Sequence, residues 1–159
     1  MKALILYDSF FGNTEQIARA IAGAIGDSQD VRVARVGETS PDDLKGFEIV
    51  VLGSPTRGFR ASEAIQAFIQ NIPDAVLKGK KVAAFDTRMP EAEVGKGLRL
   101  LMKMGGYAAP RIAKELQKKG GNLVVPPEGF FVKDREGPLK EGELERAAEW
   151  GKKIDKIET

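Results

Sequence analysis

The chain has 159 residues, of which 42% are hydrophobic and 30% charged, with a formal net charge of +2, as expected of one soluble globular domain spanning residues 1–159. It contains no cysteine and no histidine, which excludes disulfides, thiolate catalysis and the commonest metal ligand and general base. The net charge gives no indication of nucleic-acid binding and no apolar run approaches the ~20 residues of a membrane span, so we expect a cytoplasmic protein without membrane or nucleic-acid partners.

Strands and helices are predicted to alternate along the chain. Strands are expected at 2–7, 31–36, 48–53, 81–86 and 122–132, the last with a bend at Pro126-Pro127. Helices are expected at 14–25, 62–71, 110–119 and 141–157, from apolar residues at helical spacing. The run Ile49-Val50-Val51-Leu52 is apolar without alternation, which is typical of a parallel sheet buried on both faces. The sequence therefore predicts a doubly wound, three-layer α/β sandwich.

The first predicted strand leads into the first helix through a loop of hydroxyl, amide and glycine residues. The loop contains Ser9, Phe10, Phe11, Gly12, Asn13 and Thr14. A strand, such a loop and a helix start form a phosphate seat from backbone N–H groups and the positive end of the helix. The loop has no Lys or Arg, and it matches neither a nucleoside-triphosphate loop nor a dinucleotide-binding glycine motif. The alternative is an ordinary turn in which Asn13 caps the helix and Gln16 bonds back.

Residues 5–15, together with Ala18 and Ile21, resemble the phosphate-loop signature of flavodoxins, which bind flavin mononucleotide (FMN). The resemblance implies a five-stranded parallel sheet in the order 2-1-3-4-5. It also implies that FMN lies beyond the carboxyl ends of the first, third and fourth strands; flavodoxin is itself a standard example of this arrangement. Residues 9–14 are then expected to hold the FMN phosphate.

The loop after the third strand resembles the second flavin loop of the same family. The residues that the resemblance assigns to FMN here are Ser54, Pro55, Thr56, Arg57, Gly58 and Phe59. Phe59 is the expected stacking ring, since aromatic faces pack against planar systems. In the family a peptide at the position of Arg57-Gly58 turns over when the flavin is reduced, and glycine permits this at little steric cost. The alternative is a turn whose Phe59 only fills the core.

The loop after the fourth strand departs from the family pattern. Asp86, Thr87 and Arg88 are predicted to contact the cofactor, but no aromatic residue follows where the family usually places a Tyr over the outer flavin face. Tyr107 and Met89 are the two candidates for that contact. A solvent-exposed polar turn is the alternative for Arg88 and Met89.

An extra segment, at about residues 91–106, follows this loop before the next helix. Its Leu and Met residues at helical spacing predict either a short helix packed on the domain, or a lid over the flavin or a subunit contact. The oligomeric state is left open.

Basic residues surround the expected position of the flavin ring, whereas low-potential flavodoxins place acidic residues there. A unit charge ~4 Å away at an effective dielectric constant of ~20 is worth ~4 kcal/mol, or roughly 170 mV for one electron. Arg57, Arg60 and Arg88 therefore predict a less negative potential for the fully reduced flavin. A further basic stretch, opposed only by Glu115, contains Lys96, Arg99, Lys103, Arg111, Lys114, Lys118 and Lys119.

The resemblance implies an FMN-binding electron-transfer protein that shuttles electrons between redox partner proteins, with no metal and no catalytic side chain of its own. Because the surroundings of the site are basic, we expect the partner to be acidic. The alternative is an FMN-dependent NAD(P)H:quinone oxidoreductase, in which the segment at 91–106 builds a pocket and basic side chains hold the phosphates of NAD(P)H.

Overall fold

The computed structural model describes residues 1–26, 30–57, 60–90 and 107–156; the predicted extra segment at 91–106 lies outside them. The strand segments are β1 (Ala3–Tyr7), β2 (Val31–Arg35), β3 (Ile49–Pro55), β4 (Lys81–Arg88), β5 (Asn122–Leu123) and β6 (Glu128–Phe131). The helices are α1 (Asn13–Ala24), α2 (Glu63–Gln70), α3 (Ala108–Lys118) and α4 (Glu143–Lys156). Two 3₁₀ segments, Val36–Glu38 and Pro41–Gly46, connect β2 to β3.

The strands form one parallel sheet in the order β2-β1-β3-β4-β5. In the register of its centre, Leu4 of β1 lies between Arg32 of β2 and Val50 of β3. The predicted doubly wound fold and the strand order 2-1-3-4-5 are thus confirmed. The carboxyl ends of β1, β3 and β4 meet at one edge of this sheet, where such folds bind ligands.

The last strand is divided, although the sequence predicted one continuous strand over 122–132. β5 pairs with the start of β4 and β6 pairs with its end. Pro126 and Pro127 lie between them, and proline has no N–H to donate to a sheet ladder. The predicted bend is confirmed, and the carbonyl of Pro126 accepts a hydrogen bond from the Trp150 indole of α4 at 3.3 Å.

Helices cover both faces of the sheet, so β1 is buried along its whole length. α2 and α3 pack their apolar residues, including Ile65 and Ile112, on one face. α1 and α4 cover the other face with Ile17 and Trp150 among their buried residues. The strands consequently have apolar residues on both sides, as the run at 49–52 predicted.

The first residues of the described helices agree only in part with the helix starts predicted from the sequence. Ser62 caps α2 as its residue type predicts, because its Oγ accepts a hydrogen bond from the Ile65 N–H at 3.3 Å. α1 begins instead after Gly12, which has φ +89° and caps the helix with no side-chain hydrogen bond. The interpretation of Asn13 as a capping residue is therefore wrong. α3 starts at Ala108, two residues before Pro110.

A buried carboxylate fastens β6 to α4. The Glu143 carboxylate accepts hydrogen bonds from the Phe131 N–H at 2.7 Å and from the Arg146 guanidinium at 2.6 and 3.0 Å. Burial opposes ionisation, but the Arg146 guanidinium and the Phe131 N–H hold the pKa of Glu143 below its ordinary value. This attachment fixes the strand that carries the turn at 132–138 to the edge of the sheet.

Candidate functional site

The loops after β1, β3 and β4 meet around a cavity of about 350 Å³ at the carboxyl ends of the strands. Predicted residues that line it are Ser9, Phe10, Phe11, Asn13, Thr14, Pro55, Thr56, Arg57, Thr87 and Arg88. Gly12, Ser54 and Asp86 lie next to the cavity in the chain without lining it. Gly58 and Phe59 lie outside the described residues. The structure therefore brings residues from all three loops to one concave surface.

Within the part of the chain that the structure describes, the first loop leaves backbone donors at the start of α1 without partners. Ser9 Oγ accepts the Gly12 N–H at 3.0 Å. The first hydrogen bond of the helical pattern runs from the Gln16 N–H to the Gly12 carbonyl at 3.1 Å. Among the described residues, no hydrogen bond uses the backbone N–H groups of Asn13, Thr14 or Glu15. These groups belong to the first turn, whose N–H groups have no intrahelical acceptor and carry the positive end of the helix dipole. An anion placed in this part of the cavity meets donors ready to bind it.

Side-chain hydrogen bonds hold the first loop to its neighbours. Thr14 Oγ1 and Thr87 Oγ1 form a buried hydrogen bond of 2.8 Å, which joins the first loop to the end of β4. Asn13 donates its amide N–H to the Glu136 carbonyl at 3.2 Å. Gly137 packs against the Asn13 amide so closely that an added Cβ would lie 2.7 Å from it. Contacts within the chain thus hold the loop in place.

The second loop places one arginine on an exposed aromatic ring. Arg57 and Arg60 pair through two backbone hydrogen bonds of 2.8 and 2.9 Å. The Arg57 guanidinium lies 4.5 Å from the centroid of the Phe10 ring, a cation–π distance. Ser54 Oγ accepts the Ser62 N–H at 2.9 Å and donates to the Pro55 carbonyl at 2.8 Å, which fixes both ends of the loop.

The third loop contains a buried ion pair. The Arg88 guanidinium donates two hydrogen bonds to the Asp86 carboxylate, at 2.6 and 2.7 Å, and stacks on Tyr107 with its central carbon 3.5 Å from the ring centroid. Asp86 also accepts the Ala109 N–H at 2.8 Å. Complete burial raises the pKa of Asp86, and the guanidinium of Arg88 opposes that rise. Arg88 is therefore a paired charge and not the exposed polar residue that the alternative interpretation assumed.

The two candidates for the outer flavin contact occupy different positions. Met89 lines the cavity, whereas Tyr107 is buried beneath Arg88 and is absent from the described lining. Of the two, Met89 is the one that the structure places at the cavity. Its thioether is a soft, adaptable contact for an aromatic system.

Two further lining residues were missed by the sequence analysis, which considered only the loops after the first, third and fourth strands. Val132 and Arg135 line the cavity from the turn that follows β6. β6 pairs with the end of β4, so its following turn reaches the same edge of the sheet. The available signal was the charged stretch before Gly137-Pro138, which follows the last strand at this edge. Arg135 adds a basic side chain to a cavity whose first loop has none.

Comparison with known proteins identifies the family. The sequence profile described as "Flavodoxin domain" matches residues 4–132. A flavodoxin from Maridesulfovibrio salexigens is 39% identical over 89 residues, covering 53% of this chain and 61% of that protein. An NAD(P)H dehydrogenase (quinone) from Azorhizobium caulinodans is 32% identical over 109 residues, covering 53% of this chain and 55% of that protein. The chain thus spans between half and two thirds of the length of these relatives.

The solved structure of oxidised flavodoxin 1 from Bacillus cereus has the same fold, with a TM-score of 0.79 and 20% identity over the full length of both chains. Within the described ranges, no helix combines the length and apolarity of a membrane span. The profile match extends over most of the chain, from the second residue of β1 to the turn after β6. The protein therefore belongs to the flavodoxin domain family.

Proposed function

We propose that the protein binds FMN in the described cavity and carries electrons between redox partner proteins. FMN is the cofactor of this family. The observation that supports the proposal most strongly is the start of α1. There, no hydrogen bond among the described residues uses the backbone N–H groups of Asn13, Thr14 or Glu15, and Asn13 and Thr14 line a cavity shared by all three loops. A phosphate monoester matches such a set of donors.

The residues of the cavity divide into a phosphate end and a ring end. At the phosphate end, the N–H groups of Asn13, Thr14 and Glu15 and the Ser9 hydroxyl are donors, and Arg135 supplies a positive charge. The Ser9 hydroxyl accepts from Gly12, so its own proton is available to a ligand. Backbone donors fixed before binding lose little entropy when the ligand arrives.

At the ring end, Thr56, Arg57 and Met89 line the cavity, with Arg88 held beside them by Asp86. Contacts of Gly58 and Phe59 with the cofactor stay predictions. Bound FMN supplies the ability to accept and release one or two electrons. The role of the chain is to hold the ring, keep its edge accessible to a partner and set the charge around it.

The alternative function is an NAD(P)H:quinone oxidoreductase, which the similarity to the Azorhizobium caulinodans enzyme favours. That enzyme is matched over only 55% of its length. The basic side chains near the cavity suit the phosphates of NAD(P)H. We prefer the carrier function because it needs only an accessible flavin edge. The cytoplasmic location of the protein stays a prediction.

The carrier and the reductase differ in their response to nicotinamide nucleotides. We expect NADH and NADPH to leave the visible flavin absorbance of the FMN-loaded protein unchanged, because a carrier receives its electrons from another protein. Dithionite is the positive control and is expected to bleach the flavin. Rapid NAD(P)H oxidation that depends on added menadione would contradict the carrier function and support the reductase.

A further inference from the structure

A groove of about 530 Å³ lies between α2 and α3, outside the proposed FMN cavity. We call it the basic groove and define it by four charged residues: Arg60, Arg111, Lys114 and Lys118. Ile69 and Ile112 contribute apolar surface to its lining. Arg111, Lys114 and Lys118 follow one another at helical spacings of three and four, so they share one face of α3 over about 10 Å.

The basic groove is continuous with the proposed FMN cavity. A third concavity between them shares Phe10 and Arg57 with the FMN cavity and Arg60 with the groove. The start of α3 belongs to the site itself, because the Ala108 N–H donates to Thr56 Oγ1 at 3.1 Å. A macromolecule seated along α3 therefore reaches the edge of the FMN cavity.

The charge along the basic groove and the connecting concavity is predominantly positive. Glu115 is the acidic residue in the groove, and its carboxylate is already paired with Lys118 at 3.3 Å. In the connecting concavity the acidic residues are Glu63 and Asp8, and Asp8 lies 3.4 Å from the Arg35 guanidinium. The α2 wall of the groove contributes the neutral amides of Gln66 and Gln70.

We propose that the basic groove is the docking surface for an acidic face of a redox partner protein, oriented so that electrons pass at the adjacent FMN edge. This inference rests on the proposed function. Arg60, Lys114 and Lys118 are exposed to solvent at the rim of an open groove. Exposed charges spread over such a distance raise association rates with an oppositely charged surface. A nucleotide site instead encloses most of its ligand and converges a few polar groups on it.

The test compares two pairs of exposed helical lysines at different locations, and one lysine of each pair forms an ion pair with a glutamate three residues earlier. Lys114→Glu/Lys118→Glu reverses the charge of two residues in the basic groove, where Lys118 pairs with Glu115 three residues earlier. Lys152→Glu/Lys153→Glu is the control on α4, across the sheet, where Lys152 pairs with Glu149 three residues earlier at 3.0 Å. Both variants change the net charge equally and alter exposed positions near helix ends.

Stopped-flow mixing then measures electron transfer from a reduced, acidic plant-type ferredoxin to each FMN-loaded protein. At ~10 mM salt, where the Debye length is ~30 Å, we expect the groove variant to react at least about 10-fold more slowly than the wild type. The α4 variant is expected to lose less than about 3-fold, and all three rates are expected to converge at ~1 M salt, where the Debye length is ~3 Å. Reduced wild type is also expected to transfer electrons to basic cytochrome c faster as salt is added.

Equal losses in the two variants would overturn the docking surface, since net charge alone would then explain the effect. Inhibition by NADP⁺ in the wild type but not in the groove variant would overturn it in favour of a nucleotide site. Dithionite reduction of bound FMN serves as the measure of the proposed function. A chain that binds no FMN contradicts both proposals, whereas fast transfer independent of the groove lysines contradicts only this one.

Discussion

Replacing Ser9 with alanine is expected to weaken FMN binding by about 10- to 100-fold and riboflavin binding by less than about 3-fold. The substitution removes a hydroxyl donor at the phosphate end and leaves the Gly12 N–H without its acceptor. A hydrogen bond to a charged group contributes about 1.5–3 kcal/mol, which sets the expected range. Riboflavin lacks the phosphate, so its affinity reports everything except that contact. Quenching of flavin fluorescence on titration with apoprotein measures both constants.

Ser62→Ala is the matched control for Ser9→Ala. Ser62 is similarly buried, lies in the loop before α2 and accepts a backbone N–H through its hydroxyl. It does not line the FMN cavity. We expect Ser62→Ala to lower stability without changing the ratio of FMN to riboflavin affinity. If Ser9→Ala weakened both flavins equally, the phosphate end would be assigned wrongly.

Arg88→Ala is expected to destabilise the protein by about 3–5 kcal/mol, because it leaves the Asp86 carboxylate buried without its partner. Asp86 is completely buried and the Arg88 side chain is 15% exposed, so solvent screens the pair little. The double variant Asp86→Asn/Arg88→Met removes both charges and is expected to recover most of the loss. Urea unfolding of the apoproteins measures these free energies.

The loss of unfolding free energy in Arg88→Ala is also expected to depend on pH. Without the guanidinium, burial raises the pKa of Asp86 in the folded state further above the unfolded value of ~3.9. The folded variant then binds the Asp86 proton more tightly than the unfolded variant does. The free energy of unfolding is therefore greatest below the pKa of the unfolded state and falls as pH rises through the pKa of the folded state. The destabilisation relative to wild type should thus be smaller near pH 4 than at neutral pH. A deficit that is equal at both pH values would show that Asp86 does not titrate this way.

The ion pair also changes the prediction, made from the sequence, that Arg88 makes the potential of the fully reduced flavin less negative. The roughly 170 mV attributed to a unit charge applies to an isolated cation. Arg88 is neutralised by Asp86 at hydrogen-bonding distance, so its field at the ring is that of a dipole. Among the described residues no carboxylate lies in ion-pair range of Arg57, which leaves Arg57 as the stronger candidate for raising the potential.

The fold was predictable because its signals are local and repeated. The apolar run at 49–52 predicted a doubly covered strand, and Ser62 predicted a helix start. The 3₁₀ segment Pro41–Gly46 was not predicted, although Ser40 and Asp43 form a capping box at its start. Its single buried residue, Leu44, gives too short an apolar pattern to indicate a helix.

The part of the cavity that the first loop lines was predictable from one continuous stretch, because a loop between a strand and a helix is brought together by local structure. The remaining lining depends in part on residues distant in the chain. Arg135 reaches the cavity only because β6 pairs with the end of β4. Asp86 and Arg88 are two residues apart on one face of β4, so their pairing is local. The contact of Asp86 with the start of α3 is not local, because the Ala109 N–H that it accepts lies 23 residues away. Tertiary contacts therefore decide the part of the site that sets the chemistry.

The central claim is that the chain seats FMN through its phosphate at the start of α1. Titration of the wild-type apoprotein with FMN and with riboflavin, followed by fluorescence quenching, tests it most directly. We predict one FMN bound per chain with Kd below about 1 µM, and riboflavin at least about 100-fold weaker, since a seated phosphate contributes about 3 kcal/mol or more. Equal affinity for the two flavins, or no quenching by either, would contradict the claim.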